Sequence, residues 1–160
     1  MALIRHPVHA GLAEFNRLIT SKVDSQRSHT GHANMTFFMN STWHDHFMKY
    51  FIRGYNEFMG GLIQIKNTNQ TKLCVIQYEK LVEDVIKELK PCVEFLGFHI
   101  DEHLATCIRK DYEGNYHRKP LTKDEQQRIF SNSFSIDELK HYDASYNTFL
   151  RKFDRAPISY

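Results

Sequence analysis

Cysteine is scarce in this sequence, with three residues in 160: Cys74, Cys92 and Cys107. So few exclude a disulfide-built scaffold, and their spacing matches no zinc pattern. Cys74 lies in the strand-like run KLCVIQ and reads as a plain core residue. Cys92 and Cys107 fall on successive helical segments, which a disulfide can join if they form a hairpin. Charge of one sign is not in excess either, since 21 Lys plus Arg against 19 Asp plus Glu leaves +2. That balance carries no footprint of nucleic-acid binding, so any anion site must be local. No apolar run of about 18 residues is present to span a membrane, and the opening MALIRHPVHAGL lacks the charged and apolar regions of a targeting segment. Internal repeats and low-complexity tracts are missing as well. So are the strained G-x-S-x-G turn of a hydrolase, the G-x-x-x-x-G-K-[ST] phosphate loop and the G-x-G-x-x-G dinucleotide loop. Ten histidines raise the question of a metal, but His44 and His46 are two apart on a predicted helix, and His29 and His32 have no Cys or carboxylate beside them. No metal site is expected.

What is present is the composition of one ordinary globular domain, 41% hydrophobic and 25% charged. MALI reads as the tail of a buried strand. A domain rarely starts in the middle of its core, so the expectation is a single partial domain over residues 1–160, truncated at its amino terminus. Pro7 then opens a helix whose apolar face is Val8, Leu12, Phe15, Leu18 and Ile19. Val23 to Thr30 is a polar, Ser-rich loop. A longer aromatic helix runs from Ser41 or Thr42 through Trp43, Phe47, Tyr50, Phe51, Tyr55, Phe58 and Leu62, interrupted at Gly60 and Gly61. Lys72 to Gln77 reads as a short buried strand ending at Tyr78-Glu79. Helices are predicted from about Asp84 to Leu96, with Pro91 kinking the middle and Gly97 as the C′ residue, and from Asp101 to about Lys110. Tyr112 to Pro120 is a predicted loop. Two capping boxes, Thr122 with Glu125 and Ser135 with Glu138, make the last third helical. Strands separated by helices indicate a parallel α/β core.

Three places carry chemistry. Arg5 ends the first strand just before a helix start, where open α/β sheets bind ligands and helix N–H groups favour an anion. It reads equally as a phosphate-gripping guanidinium or as an Arg paired with a carboxylate. The run Gly114-Asn115-Tyr116-His117-Arg118-Lys119-Pro120 sets three potentially cationic side chains together in a loop, which alone reads as a solvated basic turn. Tyr78, at the end of the second strand, can stack on a nucleobase or serve as core. Glu79 beside it suits either a helix cap or a cation. Asn34, Asn40 and Asn69 each head an N-x-S/T triplet, which leans toward a lumenal or secreted setting.

Taken in order, LIRHP with AEFNR, then TWHDHF, IQYEKL, FLG and EGNYHRKP resemble the second half of the sulfotransferase family over about residues 1 to 120. Within that family the run is most similar to the WSC-domain-containing sulfotransferases. The resemblance implies a P-loop-type α/β fold, 3′-phosphoadenosine 5′-phosphosulfate (PAPS) as donor, a hydroxyl acceptor on a glycan, and a protein of the Golgi lumen or anchored to its membrane, with the cytoplasm as the alternative. It implies that Arg5 holds the 3′-phosphate, that His117, Arg118 and Lys119 form the basic loop over it, and that Tyr78 lies near the adenine. Lys80 stands where the family often has Asp. Ala13, eight residues after Arg5, replaces a serine that binds the phosphate in cytosolic members, with Asn16 or Arg17 as the nearest substitutes. The 5′-phosphosulfate loop and the catalytic base precede the strand-end Arg in the family, so no catalytic residue is assigned here. A chain with half the site is expected to be inactive alone. Two other classes stay open: another P-loop nucleotide-binding enzyme such as a kinase, and a non-enzymatic module using the helix from Trp43 to Leu62 as an interaction surface.

Overall fold

Two three-residue strands, β1 (Ala2–Ile4) and β2 (Val75–Gln77), lie side by side and parallel, pairing Ala2 with Val75, Leu3 with Ile76 and Ile4 with Gln77. Parallel neighbours need a long crossover, and here helices supply it. The architecture comes from a computed structural model that describes residues 1–23, 33, 35–68, 72–111 and 121–158. Among these the chain is mostly helical, an α/β arrangement with one two-stranded sheet. The predicted loops 24–30 and 112–120 lie outside the described residues.

Helix α1 (Pro7–Val23) starts at Pro7, as the fixed φ of proline favours, and buries Val8, Leu12 and Phe15. Gly11 lies on the same side. A Cβ built there would sit 2.5 Å from the Phe47 ring, so only glycine lets α1 approach this closely. After α2 (Met35–Met39), Asn40 caps α3 (Ser41–His46) by accepting the Thr42 N–H at 3.0 Å. The chain continues through a π-helical turn (Phe47–Phe51) into α4 (Ile52–Thr68). The predicted break at Gly60 and Gly61 does not occur. Two helical glycines cost about 1 kcal/mol each against alanine, but Met59 and Leu62 on either side are buried, and that burial holds the helix together.

A short helix, α5 (Tyr78–Glu83), follows β2 directly and was not expected. Asp84 then caps α6 (Val85–Phe95), accepting the Lys87 N–H, and α6 runs through Pro91 and is followed, after the C-cap Leu96, by Gly97 with φ of +83°. Helix α7 (Glu102–Asp111) is capped by Asp101, while α8 (Lys123–Ser133) and α9 (Ile136–Lys152) open on the two predicted capping boxes, each reciprocal.

The cysteines pair otherwise than the hairpin reading has it. Cys74, just before β2, is joined to Cys92 on α6 with Cα atoms 5.6 Å apart, and Cys107 is free and exposed. Helix α7 buries Ala105, and a residue two positions on is turned roughly 200° away, so Cys107 faces out. Cys92 is buried on the face of α6 turned to β2.

Two cores result. An aromatic core gathers Phe15, Phe38, Trp43, Phe47 and Tyr142 from the helices with Phe134 from the bend between α8 and α9. Of the aromatic face predicted from Trp43 to Leu62, Trp43, Phe47 and Leu62 are buried, whereas Tyr50 and Phe58 are exposed. A second core packs Ile4 and Val75 of the strands against Leu62, Tyr146, Phe149 and Leu150.

Candidate functional site

The parallel register places the residues that follow β1 and β2 side by side. Arg5 leaves β1 after Ile4, Tyr78 leaves β2 after Gln77, and Ile4 is paired with Gln77. Their side chains meet: the Arg5 guanidinium carbon lies 4.3 Å from the centroid of the Tyr78 ring. A cation over an aromatic face at this distance is attracted by the ring quadrupole and fixed in orientation. None of the ion pairs among the described residues involves Arg5. Of the two readings of Arg5, the one with a described carboxylate partner is not realised.

Glu79 resolves toward the capping role. Its Oε1 accepts the His6 backbone N–H at 2.8 Å, and its Oε2 accepts the Tyr146 hydroxyl at 2.9 Å. The carboxylate thus sits beside the start of α1, where the helix dipole favours negative charge. An internal carboxylate therefore takes one of the donors at this helix start. Tyr55 donates its hydroxyl to the Arg5 carbonyl at 2.7 Å, pinning the strand end from α4. Burial, with the Glu79 carboxylate, pushes that phenol well above its usual pKa.

Beneath Arg5 lies a histidine layer. His6 is buried, with Nε2 2.9 Å from Asp143 Oδ1 and its ring edge-on to those of His9 and Tyr146. Burial, then the neighbouring His9 and Arg5, lowers the His6 pKa to about 3. Burial and Arg5 lower His9 to about 4. Both rings are neutral at physiological pH, so the contact with Asp143 joins a neutral imidazole to a carboxylate and is not an ion pair. Burial raises the Asp143 carboxyl, which also weakens its charge. Among the described residues, the fixed cation of this layer is Arg5 itself.

The side chains proposed to replace a serine at position 13 are otherwise engaged. Asn16 is buried and its Oδ1 accepts the Ala33 N–H at 2.7 Å, while Arg17 makes two hydrogen bonds to Glu14, at 2.6 and 2.8 Å. His117, Arg118 and Lys119 lie outside the described residues. Of the five predicted site residues, the structure brings Arg5 and Tyr78 together. Sequence reasoning missed the supports Tyr55, His6, His9, Asp143 and Tyr146. The contacts of Tyr55 with Arg5 and of Tyr146 with Glu79 span 50 and 67 residues, so no local pattern reveals those two.

A cleft of about 380 Å³ opens on the other side of β2, against Gln77 and the carboxy-terminal turn. There Lys80, Lys87 and Arg155 stand against Glu83, Asp84, Glu88 and Asp154, so carboxylates outnumber cations and the cleft does not select an anion. Arg5 and Tyr78 do not line it. The arrangement at the strand ends suits a planar, anionic ligand: a guanidinium for the charge, an aromatic edge for the plane, and backbone locked from both sides. No helix among the described residues is long and apolar enough to cross a membrane. No family model matches this chain, and no solved structure matches it.

Proposed function

We propose that these strand ends are the nucleotide half-site of a PAPS-dependent sulfotransferase, an enzyme moving a sulfuryl group to a hydroxyl acceptor, a glycan by resemblance. The carrying observation is Arg5 over the Tyr78 ring at the carboxyl ends of adjacent parallel strands, with no carboxylate partner among the described residues. Ligands of open α/β sheets bind at this end, and a guanidinium grips a phosphate with two parallel N–H donors. In this reading Arg5 holds the 3′-phosphate, Tyr78 lies along the adenine, and His117, Arg118 and Lys119 close over the same phosphate. Glu79, Tyr55 and Tyr146 are positioning residues that hold the strand end still. The bound donor supplies the activated sulfuryl group, and this chain's residues bind and orient its nucleotide part. The Cys74–Cys92 disulfide supports a lumenal setting, since such bonds persist in oxidising compartments.

Calorimetric titration with adenosine 3′,5′-bisphosphate and with adenosine 5′-monophosphate tests the reading. The bisphosphate is expected to bind more tightly. Arg5→Ala and Arg118→Ala each remove about 1.5–3 kcal/mol of charge-assisted bonding, weakening it by roughly 10- to 100-fold while leaving the monophosphate nearly unchanged. Equal affinity for the two nucleotides would sink the proposal and favour a nucleotide site of another class. No sulfate transfer from PAPS is expected of the isolated chain; measurable turnover would place a catalytic base within these 160 residues.

A further inference from the structure

We propose that Asn40 is a site of N-linked glycosylation, taking an oligosaccharide from a lipid-pyrophosphate donor. Asn40-Ser41-Thr42 has the acceptor pattern, with no proline in the middle. Of the three such triplets, those headed by Asn34 and Asn69 have their asparagine outside the described residues, so Asn40 is the one with a geometry to judge.

That geometry is permissive. Asn40 and Thr42 are both exposed. Asn40 sits at the start of α3 and uses its carbonyl oxygen, Oδ1, to accept the Thr42 N–H at 3.0 Å. The atom that would carry the sugar is the other one, Nδ2. Glycosylation replaces one of the two hydrogens on Nδ2 and leaves Oδ1 an acceptor, so the helix cap survives modification. The turn before it is held independently, because Asn132 Nδ2 donates to the Met39 carbonyl at 2.7 Å.

A second observation is independent of the triplet. Cys74 and Cys92 are disulfide-bonded, and such bonds form in the oxidising secretory compartments where lipid-linked oligosaccharides are also transferred. In the transfer Nδ2 forms a bond to C1 of the first sugar, and the bond from C1 to the pyrophosphate oxygen of the carrier breaks. The lipid pyrophosphate leaves, and the amide proton passes to a base of the transferring enzyme. The inference does not depend on nucleotide binding at Arg5.

The test is to express the full chain behind a cleavable secretion signal in cultured animal cells, collecting cells and medium together so that the result does not depend on export. Peptide N-glycosidase treatment in heavy-oxygen water, followed by peptide mapping, should find Asn40 converted to labelled aspartate. Thr42→Ala should lose one glycan-dependent step in gel mobility although the Asn40 cap is intact, Asn40→Gln should lose the same step, and Thr42→Ser should keep it. Recovery of the Asn40 peptide only in unmodified form, or a Thr42→Ala chain with an unchanged number of steps, would overturn the proposal.

Discussion

The two cores of this molecule solve the same problem with different chemistry. In the aromatic core, Trp43 and Phe47 meet edge to face at 5.6 Å, and Phe134 meets them at 5.4 and 5.2 Å. Its polar work is slight, as in the bond from Trp43 Nε1 to Ser133 Oγ at 2.8 Å. The strand core is smaller, and a polar layer lies over it. Gln77 donates its backbone N–H to the buried Glu88 at 2.6 Å, Arg155 pairs with the same carboxylate, and Glu79 joins His6 to Tyr146. The first core is held by buried area, the second by polar groups whose partners must all be in place. The candidate site stands on the second, where position matters most.

Truncating the aromatic core should therefore have the largest effect. Trp43→Ala removes a fully buried ring and leaves a cavity together with an orphaned Ser133, at a cost of roughly 3–5 kcal/mol. Guanidinium unfolding followed by circular dichroism measures this through the midpoint. A loss below about 1 kcal/mol would show that the ring is not packed as described.

Acid should act first through the histidines beside the strand ends. His6 and His9, lowered to about 3 and about 4, stay neutral in the native state. Once unfolded they titrate near about 6.5, so below that pH the unfolded chain binds more protons and stability falls. The loss reaches roughly 2 kcal/mol for each histidine by about pH 5. Asp143, its pKa raised by burial, has the opposite sign, regaining part of the loss once the pH falls through its own titration range. Unfolding free energies measured across this range should give a slope that His9→Gln roughly halves and Trp43→Ala leaves unchanged. A flat profile in the unmodified protein would mean that the histidine layer is open to water.

The same contrast governs what could be read from sequence. Helix α1 and the aromatic helices repeat apolar residues at helical spacing, so Val8, Leu12, Phe15, Trp43 and Phe47 were legible as an inner face and are buried, whereas Tyr50 and Phe58, read on the same face, are exposed. Both capping boxes were legible because each is complete within four residues. Helix α5 was not. It starts directly on β2, and Gln77 makes no side-chain cap, so no start signal exists. The disulfide was misread because partners were ranked by adjacency of helices, whereas Cys92 faces the strand. At the site, Arg5 and Tyr78 were legible as strand ends, but their contact depends on β1 and β2 pairing across the intervening helices. Glu79 was ambiguous because both of its partners lie far away in sequence.

The polar layer can be dissected at Glu79. Glu79→Gln keeps the shape but weakens two charge-assisted bonds, and Tyr146→Phe removes one of them, so each should cost roughly 1.5–3 kcal/mol. In the double mutant the costs should fall short of additive by about 1 kcal/mol or more. Strict additivity would mean that the two side chains do not interact. The histidine slope, which does not involve this bond, should persist in Tyr146→Phe.

The smallest effect should come from α9, which contributes to both cores through Tyr142, Tyr146, Phe149 and Leu150. Ser135 and Glu138 satisfy each other at its start, with Ser135 Oγ accepting the Glu138 N–H at 3.2 Å and Glu138 Oε2 accepting the Ser135 N–H at 2.8 Å. Ser135→Ala should cost about 1 kcal/mol. The bonds from the Ser135 backbone and side chain hold the half-buried Glu138 carboxyl below its usual pKa. A carboxylate lowered in this way stabilises the fold above its unfolded pKa, near about 4.3, and the stabilisation fades as pH falls through the folded value. The difference between Ser135→Ala and the unmodified protein should therefore shrink in acid, at the low end of the range over which the histidines act. If the difference instead stays constant through that range, the box works through the serine hydroxyl alone, and the charge on Glu138 contributes nothing to anchoring the helix that the two cores share.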